Sequence, residues 1–220
     1  MCSLENNQDK TNFRGTFANF YIRRALKEDI VELVDVHLVS FQGFFLSFLG
    51  SRFLILLYKE ILDEPGNVSL VAVSNTGKIV GFVVGVIDQG GLYKKMARNK
   101  WFSFASAAFG KALLHPSIIP RLFRALLLSK KTEISASPAV LMSIAVLPYH
   151  KGEGIGQSLV NEFLEDMANQ GVEKVCLTTD RDENDTVNRF YRKKGFHLTR
   201  QFKTAEGRWM NEYAIETKRI

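Results

Sequence analysis

A glycine-rich segment follows a short apolar run near residue 150 and is the part of this chain best suited to bind an anion. The apolar run 140–146 ends at Pro148, and Lys151-Gly-Glu-Gly-Ile-Gly156 then leads into a segment with helical periodicity. A strand, a glycine loop and a helix in this order direct free backbone N–H groups and the positive end of a helix dipole at an anion. Gly154 and Gly156 lack a Cβ, so a phosphate can approach the backbone closely. The segment therefore predicts a site for a phosphate-bearing ligand.

The spacing of the glycines separates the known phosphate-binding motifs. A Rossmann fingerprint needs G-x-G-x-x-G with an acidic residue about 20 positions further on. Here Gly152, Gly154 and Gly156 form G-x-G-x-G, and the third fingerprint position is Gln157. The turn after the strand is also long for that motif, but Asp180 lies at a suitable distance, so a dinucleotide site is an alternative. A P-loop needs Gly-Lys-Ser/Thr after four intervening residues, and the chain has no such run.

A second block of residues that could take part in catalysis or binding follows the next predicted strand, Val172–Thr179. This block reads Asn184-Asp-Thr-Val-Asn-Arg-Phe-Tyr-Arg-Lys-Lys-Gly-Phe196. Asn184 or Asp185 is suited to cap the start of a helix, and Gly195 is a natural residue to end it. The block therefore predicts a helix that presents a tyrosine, Tyr191, on its apolar face.

The two blocks together resemble the GNAT N-acetyltransferases. Residues 151–156 fit the family signature Q/R-x-x-G-x-G/A, with lysine in place of the usual glutamine or arginine. Residues 184–196 fit the helix N-x-x-x-x-x-x-Y-x-x-x-G-F. The resemblance implies an α/β (α+β) fold, with a mixed central sheet of about seven strands, flanking helices and a helical insertion.

The resemblance also implies a site for acetyl-CoA as co-substrate. The residues that it implies for cofactor binding are Ile144, Ala145, Val146, Lys151, Gly152, Glu153, Gly154, Ile155, Gly156, Gln157, Asn184 and Asn188. Backbone groups of 151–156 would hold the pyrophosphate, and Asn188 would hydrogen-bond the pantetheine arm. Tyr191 would protonate the departing thiolate, a role that suits a phenol of pKa about 10 because it is still protonated at neutral pH.

The implied activity is transfer of the acetyl group to a primary amine of a small molecule by direct attack. Family members often place the general base on the strand before the glycine loop, but here only Ser143 is polar on residues 141–146. Candidate bases elsewhere in the chain are His150, Glu153, Asp88 and Glu133. An amine of modest pKa needs less help from a base, and this favours an amino sugar nucleotide as acceptor. A non-catalytic acyl-CoA-binding regulatory module of the same fold is the alternative function.

An aromatic segment, Phe41–Gly50 with the Leu57-Tyr-Lys59 that follows, weakly resembles GNAT proteins of bacterial surface-polysaccharide pathways. Its phenylalanines suit the core as well as they suit the wall of an acceptor pocket. The other elements follow from apolar periodicity. They are a strand at 20–24, helices at 29–45 and 48–62, a hairpin of 68–73 and 79–87, and a final strand at 209–215. We expect a flexible leader at 1–18 and one acetyltransferase domain at 19–220.

Residues 89–137 lie outside the family pattern and are strongly basic. They contain nine lysines and arginines, and no acidic residue precedes Glu133. Interleaved apolar residues predict two amphipathic helices separated by Pro116–Pro120. Three uses stay open: a structural cap, a lid for an anionic acceptor, and contact with a membrane surface through 93–131. Nucleic acid is the least favoured partner, because no recognition motif accompanies the charge.

Cysteine and histidine usage bounds the remaining chemistry. Cys2 and Cys176 are too few for a disulfide framework and fit a reducing cytoplasm. The four histidines show no spacing typical of metal ligands, so no metal is predicted. No uncharged apolar run reaches the ~18–20 residues that span a bilayer. We therefore expect a cytoplasmic protein.

Overall fold

The structure is a computed structural model that describes residues 15–16, 19–100, 102–107 and 139–217. Its strands are β1 (Gly15–Thr16), β2 (Phe20–Arg24), β3 (Val68–Ser74), β4 (Ile79–Val86), β5 (Ala139–Val146), β6 (Lys174–Asp180), β7 (His197–Lys203) and β8 (Trp209–Glu216). Its helices are α1 (Ile30–Ser40), α2 (Phe45–Leu49), α3 (Ser51–Asp63), α4 (Gln89–Asn99), α5 (Ile155–Asn169) and α6 (Asp185–Lys193). Single 3-10 turns lie at Lys27–Asp29 and Pro148–His150, and residues 102–107 are also helical.

All of these strands form one mixed sheet in the order β1-β2-β3-β4-β5-β6-β8-β7. The predicted α+β class and mixed sheet are confirmed. The sheet has eight strands rather than about seven, because Gly15 and Thr16 pair with β2 as a two-residue edge strand. Residues 1–14, 17 and 18 of the predicted leader lie outside the described residues, so the leader stays a prediction.

The two helices predicted at 29–45 and 48–62 are three helices in the structure. The chain leaves the helical conformation after Ser40, and Gly43 adopts a φ of +80°. Gly50 adopts a φ of +88° between α2 and α3. Positive φ values interrupt the helical backbone and are accessible to glycine at little cost. The aromatic segment therefore becomes a bent connection instead of one continuous helix.

The central strands β5 and β6 are the only parallel neighbours in the described sheet, and they separate soon after they begin to pair. They pair only at Ala139 with Val175 and at Val140 with Cys176. On its other side β5 pairs with β4 along most of its length, with a bulge that leaves Met142 as an extra residue. Beyond Val140, β5 and β6 therefore diverge and open a cleft in the middle of the sheet.

The helix after the glycine loop, α5, packs very closely on β4. A Cβ at Gly85 would lie 2.4 Å from the ring of Phe163, and one at Gly81 would lie 3.2 Å from Cγ2 of Ile155 on α5 and 2.9 Å from the carbonyl oxygen of Ala145 on β5. Only glycine fits at these two contacts. Leu159 and Phe163 of α5 are fully buried in the core on this side of the sheet. This contact sets the position at which α5 meets the cleft.

The described part of the basic insertion is a cap on α3. Leu92 and Met96 of α4 are buried in the core, and the ring of Phe104 packs 5.1 Å from that of Phe53. Lys95 forms an ion pair with Glu64 at the C-cap of α3, and Nζ of Lys100 lies 3.7 Å from Oε1 of Glu60 in α3. Pro116–Pro120 and the second predicted helix lie outside the described residues. Within those residues no helix has the length and apolar composition needed to cross a bilayer.

Candidate functional site

A cavity of about 800 Å³ lies where β5 and β6 diverge. Residues 141–146 of β5 form one wall and Thr178, Thr179 and Asp180 of β6 form the opposite wall. The glycine loop and the start of α5 also line the cavity, and so does Tyr191 of α6. The α1–α2 connection, from the N-terminal half of the chain, adds an aromatic lining made by Phe41, Phe44 and Phe45.

The glycine loop has the backbone conformation that an anion site requires. After the 3-10 turn, Gly152 adopts a φ of +91°, and Gly154 adopts a φ of +82° at the N-cap position of α5. No side chain caps this helix start. The first N–H groups of a helix have no acceptor within the helix, so those of α5 are left for a ligand. Lys151 and Ile155 line the cavity beside them.

The structure brings most of the predicted cofactor-binding residues to one surface. Those on the cavity wall are Ile144, Ala145, Val146, Lys151, Gly152, Gly154, Ile155, Gly156, Gln157 and Asn184. Glu153 and Asn188 do not line the cavity. Glu153 is exposed, and both of its carboxylate oxygens lie 3.2 Å from Nδ1 of His150.

Asn188 lies behind the cavity wall and uses its amide within the protein. Its Nδ2 donates to the carbonyl oxygens of Asp180 and Asn184, each at 2.9 Å. Its Oδ1 accepts from Nδ2 of Asn211 at 2.8 Å and from the hydroxyl of Tyr213 at 3.0 Å. Two N–H groups and two lone pairs are the full capacity of an amide side chain. Asn188 thus anchors α6 to β6 and β8, and its contact with pantetheine stays a prediction.

The side chain of Asn184 does not cap α6, as had been expected of it or of Asp185. Asn184 occupies the N-cap position, but no side chain caps the helix there. Its Nδ2 instead donates to Oγ1 of Thr179 at 2.8 Å and to the carbonyl of Asp180 at 3.1 Å. The start of α6 is therefore tied to the end of β6, and Asn184 remains on the cavity wall.

Tyr191 lines the cavity and is held there by the end of its helix. Gly195 has a φ of +89° and donates its N–H to the carbonyl of Arg192 at 3.0 Å, and Phe196 donates to the carbonyl of Tyr191 at 3.0 Å. These two bonds form a Schellman motif, as the sequence predicted for a glycine stop. Burial raises the pKa of Tyr191 above its ordinary value of 10. The phenol is therefore protonated throughout the physiological range.

Two side chains that line the cavity region were missed by the sequence argument. Nδ1 of His37 in α1 lies 2.7 Å from the hydroxyl of Tyr58 in α3, and both side chains are buried. The same hydroxyl interacts with the side chain of Ser143, the one polar residue of β5. Burial lowers the pKa of His37 to about 4, so the imidazole is neutral at pH 7. The only signal in the sequence was a histidine at a position of α1 that shares the buried face with Leu33, Val34 and Val36.

The structure places the four candidate general bases in different surroundings. His150 lines the cavity beside the glycine loop. Asp88 accepts from the N–H of Gly91 at 2.8 Å and caps α4. Glu153 is paired with His150 as described, and Glu133 lies outside the described residues. No group of three or more potential metal ligands occurs in the part of the chain that the structure describes.

The rim of the cavity carries a paired charge. Arg208 donates from Nε to Asp180 Oδ1 at 3.0 Å and forms a further bond from NH2 at 2.6 Å. Its guanidinium carbon also lies 5.6 Å from the ring centroid of Phe44. These contacts join the β7–β8 turn, the end of β6 and the α1–α2 connection across the cavity. The positive charge of Arg208 is balanced by Asp180 at this position.

A mixed sheet that opens between its central parallel strands, with a glycine loop and a helix start beside the opening, is the fold of the GNAT acetyltransferases. The sequence model of the Acetyltransferase (GNAT) family matches residues 33–196 of the chain. The chain belongs to this family and is an N-acetyltransferase. No curated protein sequence matches it.

Solved structures share this fold at low sequence identity. A putative GNAT acetyltransferase from Desulfovibrio desulfuricans has a TM-score of 0.60 and 17% identity, covering 90% of this chain and 99% of its own. A GNAT acetyltransferase from Streptococcus pneumoniae has a TM-score of 0.56 and 18% identity, with 90% and 99% covered. The putative acetyltransferase yncA from Salmonella typhimurium, solved with its cofactor acetyl-CoA, has a TM-score of 0.53 and 14% identity, with 90% and 94% covered.

Proposed function

We propose that this N-acetyltransferase moves the acetyl group of acetyl-CoA to a primary amine of a small molecule, with an amino sugar nucleotide as the acceptor class. One observation carries the proposal: the glycine loop at 151–156 and Tyr191 line the same cavity. The loop offers backbone N–H groups to the pyrophosphate, and the phenol offers a proton. The structural relative solved with acetyl-CoA is consistent with this cofactor.

In the proposed reaction the lone pair of a neutral amine attacks the thioester carbonyl. The C–N bond forms, the C–S bond breaks, the amine loses one proton and the departing thiolate of CoA gains one. Past Val140, β5 shares no ladder pairs with the described part of β6, so the backbone groups on that side of β5 have no hydrogen-bond partner on β6. Such fixed N–H groups are suited to stabilise the oxyanion of the tetrahedral intermediate.

Tyr191 is the proposed general acid. Burial raises the pKa of its phenol, which by itself makes the phenol a weaker acid toward a thiolate whose conjugate acid has a pKa of about 8.5. A thiolate in the same buried cavity is also poorly solvated, and its basicity rises for the same physical reason. Burial thus raises the pKa of both groups, so the free energy of proton transfer from the phenol to the thiolate changes little. The phenol also stays protonated while the cofactor is bound.

The acceptor is proposed to enter from the side of the aromatic lining. Phe41, Phe44 and Phe45 line the cavity on elements distinct from the glycine loop. A nucleotide attached to the acceptor is anionic and suits the basic insertion at 89–137 as a lid. We propose that charge reversal at Arg121 and Arg124 raises KM for an anionic acceptor and leaves KM for acetyl-CoA unchanged. A change in KM for acetyl-CoA alone would reassign these arginines to the cofactor.

Two further expectations belong to this proposal. Residues 19–220 act as one acetyltransferase domain, and the protein works in the cytoplasm, where a thiol such as the buried free Cys176 stays reduced. The basic composition of residues 93–131 also suits contact with an anionic membrane surface. Binding to vesicles with and without anionic lipid measures that contact directly.

The test of the proposed function begins with calorimetric titration of the purified protein with acetyl-CoA. A thiol-release assay then follows across a panel of primary amines that includes amino sugars and their nucleotides. Binding with turnover on an amino sugar supports the proposal. Binding without turnover on any amine favours a non-catalytic acyl-CoA-binding module. Absence of binding would contradict the assignment of the glycine loop to acetyl-CoA.

A further inference from the structure

We propose that Nε2 of His37 and Oγ of Ser40 form an acceptor-binding subsite that recognises neutral hydroxyl groups of the substrate. This inference rests on the proposed function and names which part of the acceptor the cavity selects. Both residues lie on α1, three positions apart, so they share one face of that helix. Both also line the cavity between β5 and β6.

The first evidence is that these two atoms have no partner in the described structure. Four buried side-chain atoms lack a hydrogen bond there: Nε2 of His37, Oγ of Ser40, Oγ of Ser47 and Oγ of Ser69. Only the first two belong to residues on the cavity wall. A buried polar group without a partner costs about 1–3 kcal/mol. A ligand that supplies the missing bonds therefore gains affinity at this place.

The second evidence is that the ring of His37 is held in one orientation. Its Nδ1 lies 2.7 Å from the Tyr58 hydroxyl, and its centroid lies 4.7 Å from that of Phe41 and 6.3 Å from that of Phe82. Because the imidazole is neutral, one ring nitrogen donates and the other accepts. Nδ1 is occupied by Tyr58, so Nε2 is the atom left to bind a ligand.

The third evidence is the absence of unbalanced charge at this end of the described cavity. The α1–α2 lining consists of His37, Ser40 and aromatic or aliphatic side chains. A smaller adjoining cavity of about 120 Å³ continues past Ser143 and is lined in its polar part by Tyr58, Gln89, Tyr93 and Thr178. All of these groups are uncharged at neutral pH. A charged acceptor such as a polyamine or a lysine side chain would find no carboxylate among them.

The combination of aromatic walls and neutral polar groups fits a saturated, hydroxyl-bearing ring. Phe41 and Phe44, whose ring centroids are 5.7 Å apart, offer apolar surface to the C–H groups of such a ring. His37 and Ser40 offer hydrogen bonds to its hydroxyl groups. Ligand sites in proteins commonly combine apolar walls with a few placed polar groups in this way. The substrate class is thus a sugar ring that carries the amine.

The test compares glucosamine with cyclohexylamine, which has a six-membered ring and a primary amine but no hydroxyl groups. Each variant is compared with the unmodified enzyme on the same amine, so the difference in amine pKa cancels. His37→Asn keeps an amide nitrogen near the position of Nδ1 and removes Nε2, whereas His37→Gln keeps a polar atom near Nε2. Ser40→Ala removes Oγ, and Ser47→Ala is the matched control away from the cavity wall.

We expect His37→Asn and Ser40→Ala each to raise KM for glucosamine about tenfold, the effect of losing one hydrogen bond to a buried group. We expect KM for cyclohexylamine and for acetyl-CoA to stay unchanged, and His37→Gln to recover most of the lost affinity. A purely structural role would change both amines alike and would not be rescued by glutamine.

Several outcomes would overturn the inference. They are equal effects on both amines, an effect of Ser47→Ala as large as that of Ser40→Ala, and turnover of cyclohexylamine but not of glucosamine. An unchanged KM for glucosamine in both His37→Asn and Ser40→Ala would also overturn it, because a structural water would then occupy the subsite instead of the substrate. If no amine turns over, the proposed function fails separately. Glucosamine binding to the CoA-loaded protein, measured by saturation-transfer NMR, then supports the subsite if His37→Asn abolishes it and overturns it otherwise.

Discussion

The backbone N–H of Phe196 donates to the carbonyl of Tyr191 at 3.0 Å, and the rings of these two residues pack with centroids 5.6 Å apart. In a Schellman motif this bond joins the last turn of the helix to the second residue past the C-cap. The ring of Tyr191 also lies 5.4 Å from that of Phe190 and 6.2 Å from that of Tyr213. The phenol on the cavity wall is therefore positioned by packing on several sides, which is what a proton donor of fixed geometry requires.

Replacement of Tyr191 by phenylalanine tests that donor. We expect kcat to fall at least tenfold in Tyr191→Phe, because the thiolate leaves without a proton from the phenol, while the Kd for acetyl-CoA stays unchanged. The measurements are thiol-release kinetics and calorimetric titration. Tyr21→Phe on β2, which does not line the cavity, is the matched control. Unchanged turnover in Tyr191→Phe would remove the acid role from this residue.

Substitution of Gly156 tests the anion site without damaging the fold. A Cβ at Gly156 would meet Val146 Cγ2 at 3.7 Å and Phe190 Cζ at 3.8 Å, which are ordinary contacts. Alanine also favours a helix over glycine by about 1 kcal/mol. We expect Gly156→Leu to weaken acetyl-CoA binding at least tenfold, because its long side chain intrudes on the pyrophosphate. Gly156→Ala, which the family signature allows, should keep or raise the free energy of unfolding and bind acetyl-CoA with little change in affinity.

The matched control for Gly156→Leu is Gly90→Leu. Gly90 is also helical, and a Cβ there would meet only Asp88 Oδ1 at 3.6 Å. It lies away from the cavity, so acetyl-CoA should bind this variant with unchanged affinity. Equal affinity in both variants would show that the pyrophosphate binds elsewhere.

Removal of the Asn188 side chain distinguishes an anchor from a ligand contact. Asn188→Ala leaves the carbonyls of Asp180 and Asn184, together with Asn211 and Tyr213, without their present partner. We expect the free energy of unfolding, measured by chemical denaturation, to fall by about 3 kcal/mol. Asn184→Ala, at a half-buried position with two side-chain bonds, should lose less. A large loss of acetyl-CoA affinity with little loss of stability would instead support the pantetheine contact.

Burial of His37 predicts a pH dependence of stability. Its pKa is lowered to about 4 in the folded state, against about 6.5 when unfolded, so the unfolded chain binds more protons between these values. The stability associated with the neutral ring is complete above pH 6.5 and is lost progressively as the pH falls to 4. The size of this loss is about 3 kcal/mol.

The contribution of His37 is isolated by comparison with a variant that cannot titrate. Unfolding free energies of the unmodified protein and of His37→Gln are measured in parallel between pH 4 and pH 7. Other groups titrate in both proteins, including Asp29, whose pKa is lowered by its hydrogen bonds to Arg23 and to the backbone of Leu26 against the opposing effect of burial. We expect the difference in unfolding free energy between the unmodified protein and His37→Gln to narrow as the pH falls. Parallel curves would show that His37 is solvated in the native state.

Residues close together in the chain were sufficient to predict the local elements. The loop at 151–156 follows from glycines that adopt positive φ before a helix, and the end of α6 follows from Gly195. The hairpin of β3 and β4 follows from apolar runs around Asn75-Thr-Gly77. Each depends on backbone conformations and hydrogen bonds within a few residues, so a single sequence contains the necessary information. The break at Gly43 was missed, because helical periodicity continues through it.

The tertiary structure decided what lies between those elements. The opening between β5 and β6 depends on a register that leaves only two paired positions, and local pattern does not specify that register. The bond between His37 and Tyr58 joins residues 21 positions apart on two helices, and Asn188 meets Asn211 and Tyr213 only because α6 packs across β8. The sequence by itself determined the glycine loop and the tyrosine helix. The unpartnered atoms of the acceptor wall became visible only in the fold, because burial and hydrogen-bond partners depend on all of the surrounding elements.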